Sequence, residues 1–149
     1  MKLIPLTKGQ FAKVDDQDFD WLSQWKWQSH SLGYAYRGSG RILMHRIITR
    51  AKRGEYVDHK NGDKRDNRRS NIRVCTPTQN NANQRYPVNN TSGYKGVSWH
   101  SDGIGWQAKV YSGGKFFHLG IFKDAKDAAR AYNEKALELW GEFAWLNKV

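Results

Sequence analysis

Side chains that support hydrolytic chemistry come together within one short stretch of the chain. Asp58 and His59 are adjacent, and Asn80, Asn81 and Asn83 follow in the next predicted helix. Carboxylate and amide oxygens bind hard divalent cations, which keep part of their water shell. An imidazole that titrates near pH 6.5 is suited to accept a proton from such a water. The pattern indicates metal-assisted hydrolysis, with Asp58 and an asparagine as ligands and His59 as the proton acceptor.

The elements predicted around these residues are a strand, a loop, a second strand and a helix. Residues 60–70 are rich in Asn, Gly and Asp, which is typical of turns. Residues 71–75 are predicted as a short strand with alternating apolar side chains. A helix is predicted over residues 76–86, because it opens with the capping sequence Thr76-Pro77-Thr78-Gln79. This order brings the Asp-His pair close to the first helical turn.

The stretch from Val57 to Asn80 resembles the HNH endonuclease motif, the ββα-metal nuclease fold, in the variant common among phage and intron-encoded homing endonucleases. The resemblance implies that His59 is the general base and that Asp58 and Asn80 hold one divalent metal. Asn71 would tie the loop together and orient His59. The family pattern alone selects Asn80 among the asparagines. It stands where many relatives have a histidine, so Mg²⁺ is expected, with Mn²⁺ as the alternative and no zinc.

The composition indicates a polyanionic partner. The chain has 149 residues with 25 Lys and Arg against 14 Asp and Glu, a formal net charge of +11. Residues 1–88 carry 17 basic and 8 acidic side chains (+9), and residues 89–149 carry 8 and 6 (+2). Membrane surfaces also attract basic proteins, but no apolar run is long enough to span a bilayer. Double-stranded DNA is therefore the predicted partner.

Basic residues are densest around the candidate site. Residues 37–73 contain 12 basic and 4 acidic side chains, which favours contact with a phosphate backbone there. Part of such a run is expected to be ordinary solvated surface. The His45-Arg46 pair also resembles one that precedes the motif in the same nuclease family. The predicted phosphate contacts are Arg46, Arg65, Arg68, Arg69 and Arg73.

Cys75 is the single cysteine, so a disulfide and a Cys₄ zinc site are excluded. Its place in a predicted strand favours a small buried side chain. Residues 1–20 lack the apolar core of a signal peptide. We therefore expect a cytoplasmic protein, in a bacterial host cell if a phage encodes it.

The N-terminal residues are predicted to form short strands and one short helix. Residues 2–6 and 11–14 indicate a hairpin, and residues 18–22 a helix that begins after an Asp pair. Residues 34–36 and 42–44 are predicted as a pair of strands. The tryptophans at 21, 25 and 27 are more typical of a small core than of base stacking.

The second half of the chain has a different pattern. Residues 94–99, 105–111 and 115–122 are predicted strands, which Gly-containing hairpin turns separate. Asp124 and Gly141 are predicted to begin and end a helix with one stripe of small apolar residues. A three-stranded sheet with one helix across its back leaves the other sheet face open.

Five segments of this half form a set: Tyr94-Lys95-Gly96-Val97, Trp106-Gln107-Ala108, Leu119-Gly120-Ile121-Phe122, Ala128-Ala129-Arg130-Ala131-Tyr132 and Ala144-Trp145-Leu146-Asn147. With them, residues 93–147 closely resemble the ethylene-response-factor (Apetala-type) DNA-binding domain, whose sheet enters the major groove. The resemblance implies DNA contacts from Lys95, Trp99, Trp106, Lys109, Tyr111, Lys115 and His118. Arginine is expected at three positions where this chain has Lys95, Tyr111 and Phe116, so a GC-rich preference is not implied.

The predicted fold class is α+β: a ββα-metal nuclease core with short accessory strands, then a three-stranded antiparallel sheet packed on one helix. The turn-rich residues 87–93 are the predicted linker between a nuclease domain, 1–88, and a DNA-binding domain, 89–149. The predicted function is site-preferring DNA cleavage of the homing type by a monomer or dimer. The alternatives are a DNA-binding regulator with a decayed nuclease half, and a non-specific or structure-specific nuclease.

Overall fold

The computed structural model describes residues 1–84 and 90–149. It divides into two compact units, Met1–Pro77 and Thr78–Val149. Residues 87–89 of the predicted linker lie outside the described residues, so the predicted boundary at 88/89 stays a prediction. Both units combine short strands with few helices, and the chain therefore has the mixed α and β structure that we predicted.

The first unit is built from short elements. In chain order they are β1 (Lys2–Pro5), β2 (Phe11–Val14), α1 (Asp16–Leu22), β3 (Gln28–Ser29), β4 (Ala35–Arg37), β5 (Ile42–Leu43), α2 (Met44–Thr49), β6 (Tyr56–His59) and β7 (Ile72–Cys75). The first two strands form an antiparallel hairpin, β3, β4 and β5 form a three-stranded sheet, and β6 pairs with β7. The predicted hairpin and the short helix after it are confirmed.

Helix α2 was not predicted, because residues 42–44 were interpreted as a strand. The strand ends at Leu43, and the next residue, Met44, begins the helix. Met44 and Ile48 are both buried, as expected for two positions one helical turn apart. A helix of six residues is too short for its periodicity to stand out from an apolar run.

The tryptophans of the first unit belong to its core, as predicted. Trp27 is buried, and its indole Nε1 donates a hydrogen bond to the Leu22 carbonyl at 2.8 Å. Trp25 packs edge-to-face against both Trp21 and Trp27, at centroid distances of 6.0 and 6.4 Å. Arg37 lies over the Trp25 ring at 4.0 Å, a favourable cation–π contact. These tryptophan rings therefore make their contacts with other side chains of the first unit.

The second unit contains most of a short helix, a three-stranded sheet and a long helix. The elements are α3 (Pro77–Ala82), β8 (Val97–Trp99), β9 (Trp106–Ser112), β10 (Lys115–Phe122) and α4 (Ala125–Trp140). The strands are antiparallel, with β9 in the centre of the order β10-β9-β8. The predicted strands and long helix are confirmed, although the first strand begins at 97 and α3 ends at Ala82 rather than at 86. No helix in the described residues is long and apolar enough to cross a membrane.

Helix α4 covers one face of this sheet. Asp124 caps it, because its Oδ1 accepts a hydrogen bond from the Lys126 backbone N at 2.7 Å. The small buried residues of the helix pack against the apolar side chains of the strands; the buried set is Val97, Ala108, Val110, Ala128, Ala129, Tyr132 and Ala136. We call this side of the sheet the helix-covered face.

Gly96 shows how closely α4 approaches the sheet. Its φ is +74°, and a Cβ there would lie 2.7 Å from the Lys109 carbonyl oxygen and overlap the Tyr132 ring. A side chain at this position would be both strained and obstructed. The glycine in the Tyr94–Val97 segment is therefore explained by packing.

Candidate active site and nucleic-acid interface

Asp58 and His59 lie at the end of β6, where the chain enters the loop that leads to β7. In the antiparallel register Asp58 is opposite Arg73, and His59 is opposite Ile72. Asp58 and His59 are each only 5% exposed, which is rare for an aspartate unless it is paired. The two adjacent residues predicted from the sequence are thus both in largely buried positions.

The His59 ring is held by Asn67. The His59 Nε2 lies 3.2 Å from the Asn67 Oδ1, and the Asn67 side chain is fully buried. The Asn67 Nδ2 already donates to the Arg65 carbonyl at 3.3 Å, so its oxygen faces the imidazole. An amide oxygen only accepts hydrogen bonds, which places the proton of a neutral ring on Nε2. Nδ1 is then the basic nitrogen of His59.

Burial keeps His59 neutral. It lowers the pKa of the imidazole from its ordinary value, since desolvation disfavours the charged ring. The hydrogen bond that His59 donates to Asn67 and the charge of Asp58 act in the opposite direction but are smaller. The negative charge of Asp58 raises the pKa of His59, but burial outweighs this effect. A neutral imidazole at neutral pH is the form that a general base requires.

Asn71 stabilises the loop between β6 and β7. Its Nδ2 donates to the Asp66 carbonyl at 2.7 Å, and its Oδ1 accepts from the Asn61 backbone N at 3.0 Å. These bonds agree with the predicted role of tying the loop together. The side-chain hydrogen bond of His59, however, is accepted by Asn67, which the sequence pattern does not single out. The loop contains several asparagines, and spacing alone does not separate their roles.

Asp66 anchors the same loop from inside. It is 1% exposed, and Arg68 Nε and Nη2 donate to its two oxygens at 2.7 and 2.6 Å. The Asn61 Nδ2 donates to it as well, at 2.9 Å. The hydrogen bonds from Arg68 hold the pKa of Asp66 below its ordinary value. Arg68 is therefore engaged in positioning the loop that carries Asn67 and Asn71.

Asp58, the predicted metal ligand, is paired with Arg73. Its Oδ2 accepts from Arg73 Nε and Nη2 at 3.0 and 2.9 Å, so a cation there would share the carboxylate with a guanidinium. Within the described residues, no three or more His, Cys, Asp or Glu side chains are grouped to hold a metal. A donor set of one carboxylate and an asparagine amide suits Mg²⁺, which takes its other ligands from water and phosphate. Asn80, the second predicted ligand, is half-buried on α3.

Most of the arginines predicted to contact phosphate are bound within the protein. Arg46 donates to backbone carbonyls in the turn that follows α2, at 2.6 Å to Glu55 and 2.7 Å to Lys52. Arg69 makes two bonds to the buried Asp18, at 2.8 and 2.7 Å. Arg68 and Arg73 pair with Asp66 and Asp58, as described above. Of the five, only Arg65 is exposed and has no side-chain partner in the part of the chain that the structure describes.

Two further aromatic side chains adjoin His59. The His45 ring lies edge-to-face with the His59 ring at 5.1 Å, and Tyr34 lies 6.0 Å from it. His45 is buried, its Nδ1 has no hydrogen-bond partner among the described residues, and burial lowers its pKa to about 3. These neighbours limit the space in which the His59 ring can turn. The sequence placed His45 before the motif but gave no sign of this contact.

The second unit presents an open face opposite α4. Its strands alternate, so residues that neighbour the buried Ala108 and Val110 along the strand point away from the helix. The cross-strand register then defines the open face as Ser98, Gln107, Lys109, Tyr111, Phe116, His118 and Ile121. Lys109, Tyr111 and His118 were predicted as DNA contacts and lie on this face.

The other four predicted contacts lie elsewhere in the second unit. Trp106 shares the helix-covered face with Ala108 and packs against its core, and Trp99 is directly opposite Trp106, with ring centroids 5.1 Å apart. Lys115 is opposite Ser112, on that same face, where it is exposed. Lys95 Nζ donates to the Ala82 and Gln84 carbonyls, each at 2.6 Å. Burial lowers the pKa of Lys95 to about 8.

Comparison with known proteins gives the class of the chain. Residues 43–82 match the HNH endonuclease family. An uncharacterized HNH endonuclease of Acanthamoeba polyphaga mimivirus is 34% identical over 149 residues, covering 95% of this chain and 77% of that protein. Protein 3.8 of Escherichia phage T7 is 33% identical over 92 residues, covering 62% of this chain and 75% of that protein. No solved structure matches.

These similarities define a nuclease. The chain belongs to the HNH endonuclease family, because the mimivirus relative exceeds 30% identity over most of both proteins and the family match contains the Asp58-His59 pair. The predicted resemblance to the HNH motif is confirmed. The resemblance of residues 93–147 to an ethylene-response-factor domain stays a prediction.

Proposed function

We propose that this protein is a site-preferring DNA endonuclease of the homing type, with His59 as its general base. The observation that carries the proposal is the fixed imidazole: Asn67 holds Nε2 at 3.2 Å, which leaves Nδ1 as the basic nitrogen. In the reaction Nδ1 takes a proton from water, and the water oxygen bonds to phosphorus. The bond from phosphorus to the 3′ oxygen breaks, and that oxygen takes a proton from solvent.

Asp58 and Asn80 are the proposed ligands of one Mg²⁺ or Mn²⁺ ion. When bound, such an ion stabilises negative charge on the phosphate and on the leaving oxygen. The protein itself contributes the carboxylate, whose charge Arg73 already holds in place. Asn71, Asp66 and Arg68 keep the loop beside His59 in one arrangement.

The proposed substrate is double-stranded DNA. The net charge of +11 favours a polyanion, and several exposed arginines of the first unit have no side-chain partner in the described residues: Arg41, Arg50, Arg53 and Arg65. The open face of the second unit is proposed to select the site, as the resemblance to the ethylene-response-factor domain implies. Phosphate contacts set affinity, whereas base contacts distinguish sequences.

Nicking of a supercoiled plasmid with Mg²⁺ present tests the general base. His59→Ala should lower the cleavage rate by about 10²–10⁴-fold, the usual share of such catalysis. His30→Ala is the matched control, since His30 sits in a turn where its Nδ1 accepts from the Leu32 backbone N. Binding of the plasmid should be similar for both variants. A His59→Ala protein that cuts at more than about a tenth of the wild-type rate would contradict the assignment.

Chelation and substitution of Asp58 test the metal. Excess chelator should stop cleavage while DNA remains bound. Asp58→Asn keeps the shape of the side chain and should need more Mg²⁺ for half-maximal cleavage, with partial recovery at high Mg²⁺. Undiminished cleavage in chelator would exclude the metal. Absence of cleavage under every metal condition, with binding retained, would instead favour the regulator with a decayed nuclease half.

A further inference from the structure

The open face carries an unusual set of side chains for a surface that meets DNA. In register across the strands, Gln107 lies between Ser98 and Ile121, Lys109 is opposite His118, and Tyr111 is opposite Phe116. None of the seven side chains of this face is an arginine or a carboxylate. The face therefore has two polar residues and one apolar residue at one end, Lys109 and His118 in the middle, and an aromatic pair at the other end.

Gln107 is the one amide side chain on the open face. It lies on the central strand, and in residues 1–84 and 90–149 its Nε2 makes a single, long hydrogen bond of 3.4 Å to the Trp99 carbonyl. A glutamine amide offers one donor and one acceptor side by side, and it matches the N7 acceptor and N6 donor of adenine in the major groove. It is poorly matched to guanine, which presents two acceptors there.

The apolar residues of the open face are unusually exposed. Tyr111 is 58% exposed, Phe116 64% and Ile121 46%, and the Tyr111 and Phe116 rings lie 4.8 Å apart. Tyr111 and Phe116 form an exposed aromatic pair, with Ile121 at the other end of the face, and exposed apolar groups of this kind mark contact sites. In the major groove the apolar group they can meet is the thymine methyl.

The charge of the open face and the width of the sheet both suit the major groove of duplex DNA. Five of the six acidic residues in 90–149 lie within 124–142, in or beside α4 behind the sheet. Lys109 and His118 lie on the open face, so a polyanion is favoured on that side. Three strands about 4.8 Å apart span about 10 Å, and the major groove is about 12 Å wide.

We infer that the open face recognises A·T-rich sequence in the major groove, with Gln107 on an adenine and Ile121, Tyr111 and Phe116 against thymine methyls. Lys109 and His118 supply donors to base edges or phosphates on the same face. This inference rests on the proposed function, in which the sheet selects the DNA site. It adds the class of base that the sheet selects, which follows from the side chains of this chain alone.

The test is selection from a randomised duplex library by the full chain carrying His59→Ala, so that bound DNA stays uncut. The bound pool should be enriched in A·T pairs at consecutive positions. Adding Gln107→Ala should reduce discrimination at one adenine by about 10- to 100-fold. Gln107→Arg should change the preferred base at that position from adenine to guanine, because arginine pairs with the two guanine acceptors. Glu134→Gln, an exposed change on α4, is the control and should leave the selected sequence unchanged.

The outcomes separate this inference from the proposed function. A selected G·C-rich site, or a site that Gln107→Ala and Gln107→Arg leave unchanged, overturns the inference while DNA selection by the protein stands. Failure to bind or select any duplex removes the proposed function as well. Stronger binding of single-stranded oligonucleotides than of duplex would assign Tyr111 and Phe116 to base stacking and would also overturn the inference.

Discussion

Removal of the Arg69 side chain distinguishes a structural ion pair from a phosphate contact. Arg69 Nε and Nη2 donate to the two carboxylate oxygens of Asp18, and its backbone N donates to Asp15 at 2.8 Å. Asp18 is 1% exposed and otherwise accepts only from Trp21 Nε1, at 3.2 Å, among the described residues. Arg69→Ala therefore leaves a buried carboxylate with one long hydrogen bond.

The expected loss of stability follows from this geometry. Leaving one charge of a buried pair without its partner costs about 3–5 kcal/mol. The Arg69 side chain is 49% exposed, so water replaces part of the lost interaction. We expect the free energy of unfolding to fall by about 2–3 kcal/mol, a large share of the ~5–15 kcal/mol typical of a folded protein.

Urea unfolding measures this change, and Arg65→Ala is the matched control. Arg65 lies in the same loop, is exposed and has no side-chain partner among the described residues. Its removal should change the free energy of unfolding by less than about 0.5 kcal/mol. It should instead reduce the salt dependence of DNA affinity, with a change in slope of about 0.9 for one phosphate contact.

The opposite pattern would refute this assignment. Arg69→Ala would then unfold at the wild-type urea concentration, and the slope of its log DNA affinity against log salt concentration would be smaller by about 0.9. In that case Arg69 binds phosphate in solution and the pair with Asp18 is dispensable. The double variant Asp18→Asn/Arg69→Ala adds a check. It should be more stable than Arg69→Ala alone, because the buried charge is then removed as well.

Three further predictions follow from the buried groups. Asn67→Asp keeps an acceptor at the His59 Nε2 and adds a negative charge that raises the pKa of the imidazole; the pH of half-maximal cleavage should therefore rise, as a pH–rate profile would show. The pKa of His45 is lowered to about 3 in the folded protein, so His45 binds a proton more readily when the protein is unfolded. The free energy of unfolding should therefore fall as the pH drops from about 6.5 towards 3. In urea unfolding at pH 7 and pH 5, His45→Phe should show a smaller change in this free energy than the wild type. Lys95→Met removes two hydrogen bonds to carbonyls and should lower stability by about 1–2 kcal/mol, with site selection by the full chain unchanged in the library assay.

The sequence predicted elements well where local chemistry marks both ends. Asp124 and Gly141 bound α4 as expected, and glycine turns separate β8, β9 and β10. The HNH motif likewise identified the strand that carries the Asp58-His59 pair. It did not identify Asn67, because the hydrogen bond to His59 depends on how the loop closes, and Asn67 and Asn71 are chemically identical candidates in that loop.

The sequence alone did not show which side chains lie on which face of the second sheet, because that depends on the register between its strands. Trp106 and Gln107 are neighbours in β9, yet Trp106 packs against the core and Gln107 lies on the open face. A shift of one residue exchanges the two faces of a strand, so a motif that contains both residues does not determine which one meets a ligand. The DNA contact predicted at Trp106 stays a prediction, although its side chain packs against the core, and the strand itself was correctly predicted.

The net charge of the sequence likewise does not show which basic residues are paired within the fold. The partners Arg69 and Asp18 are 51 residues apart in the chain, and no local pattern joins them. Each ion pair removes one positive and one negative charge from the surface, so the net charge of residues 1–88 stays +9 whichever arginines are paired. An excess of basic residues therefore predicts a polyanionic partner without predicting which residues touch it. In this protein Arg68, Arg69 and Arg73 pair with buried carboxylates, so we expect exposed residues such as Arg65 to make the contact with DNA.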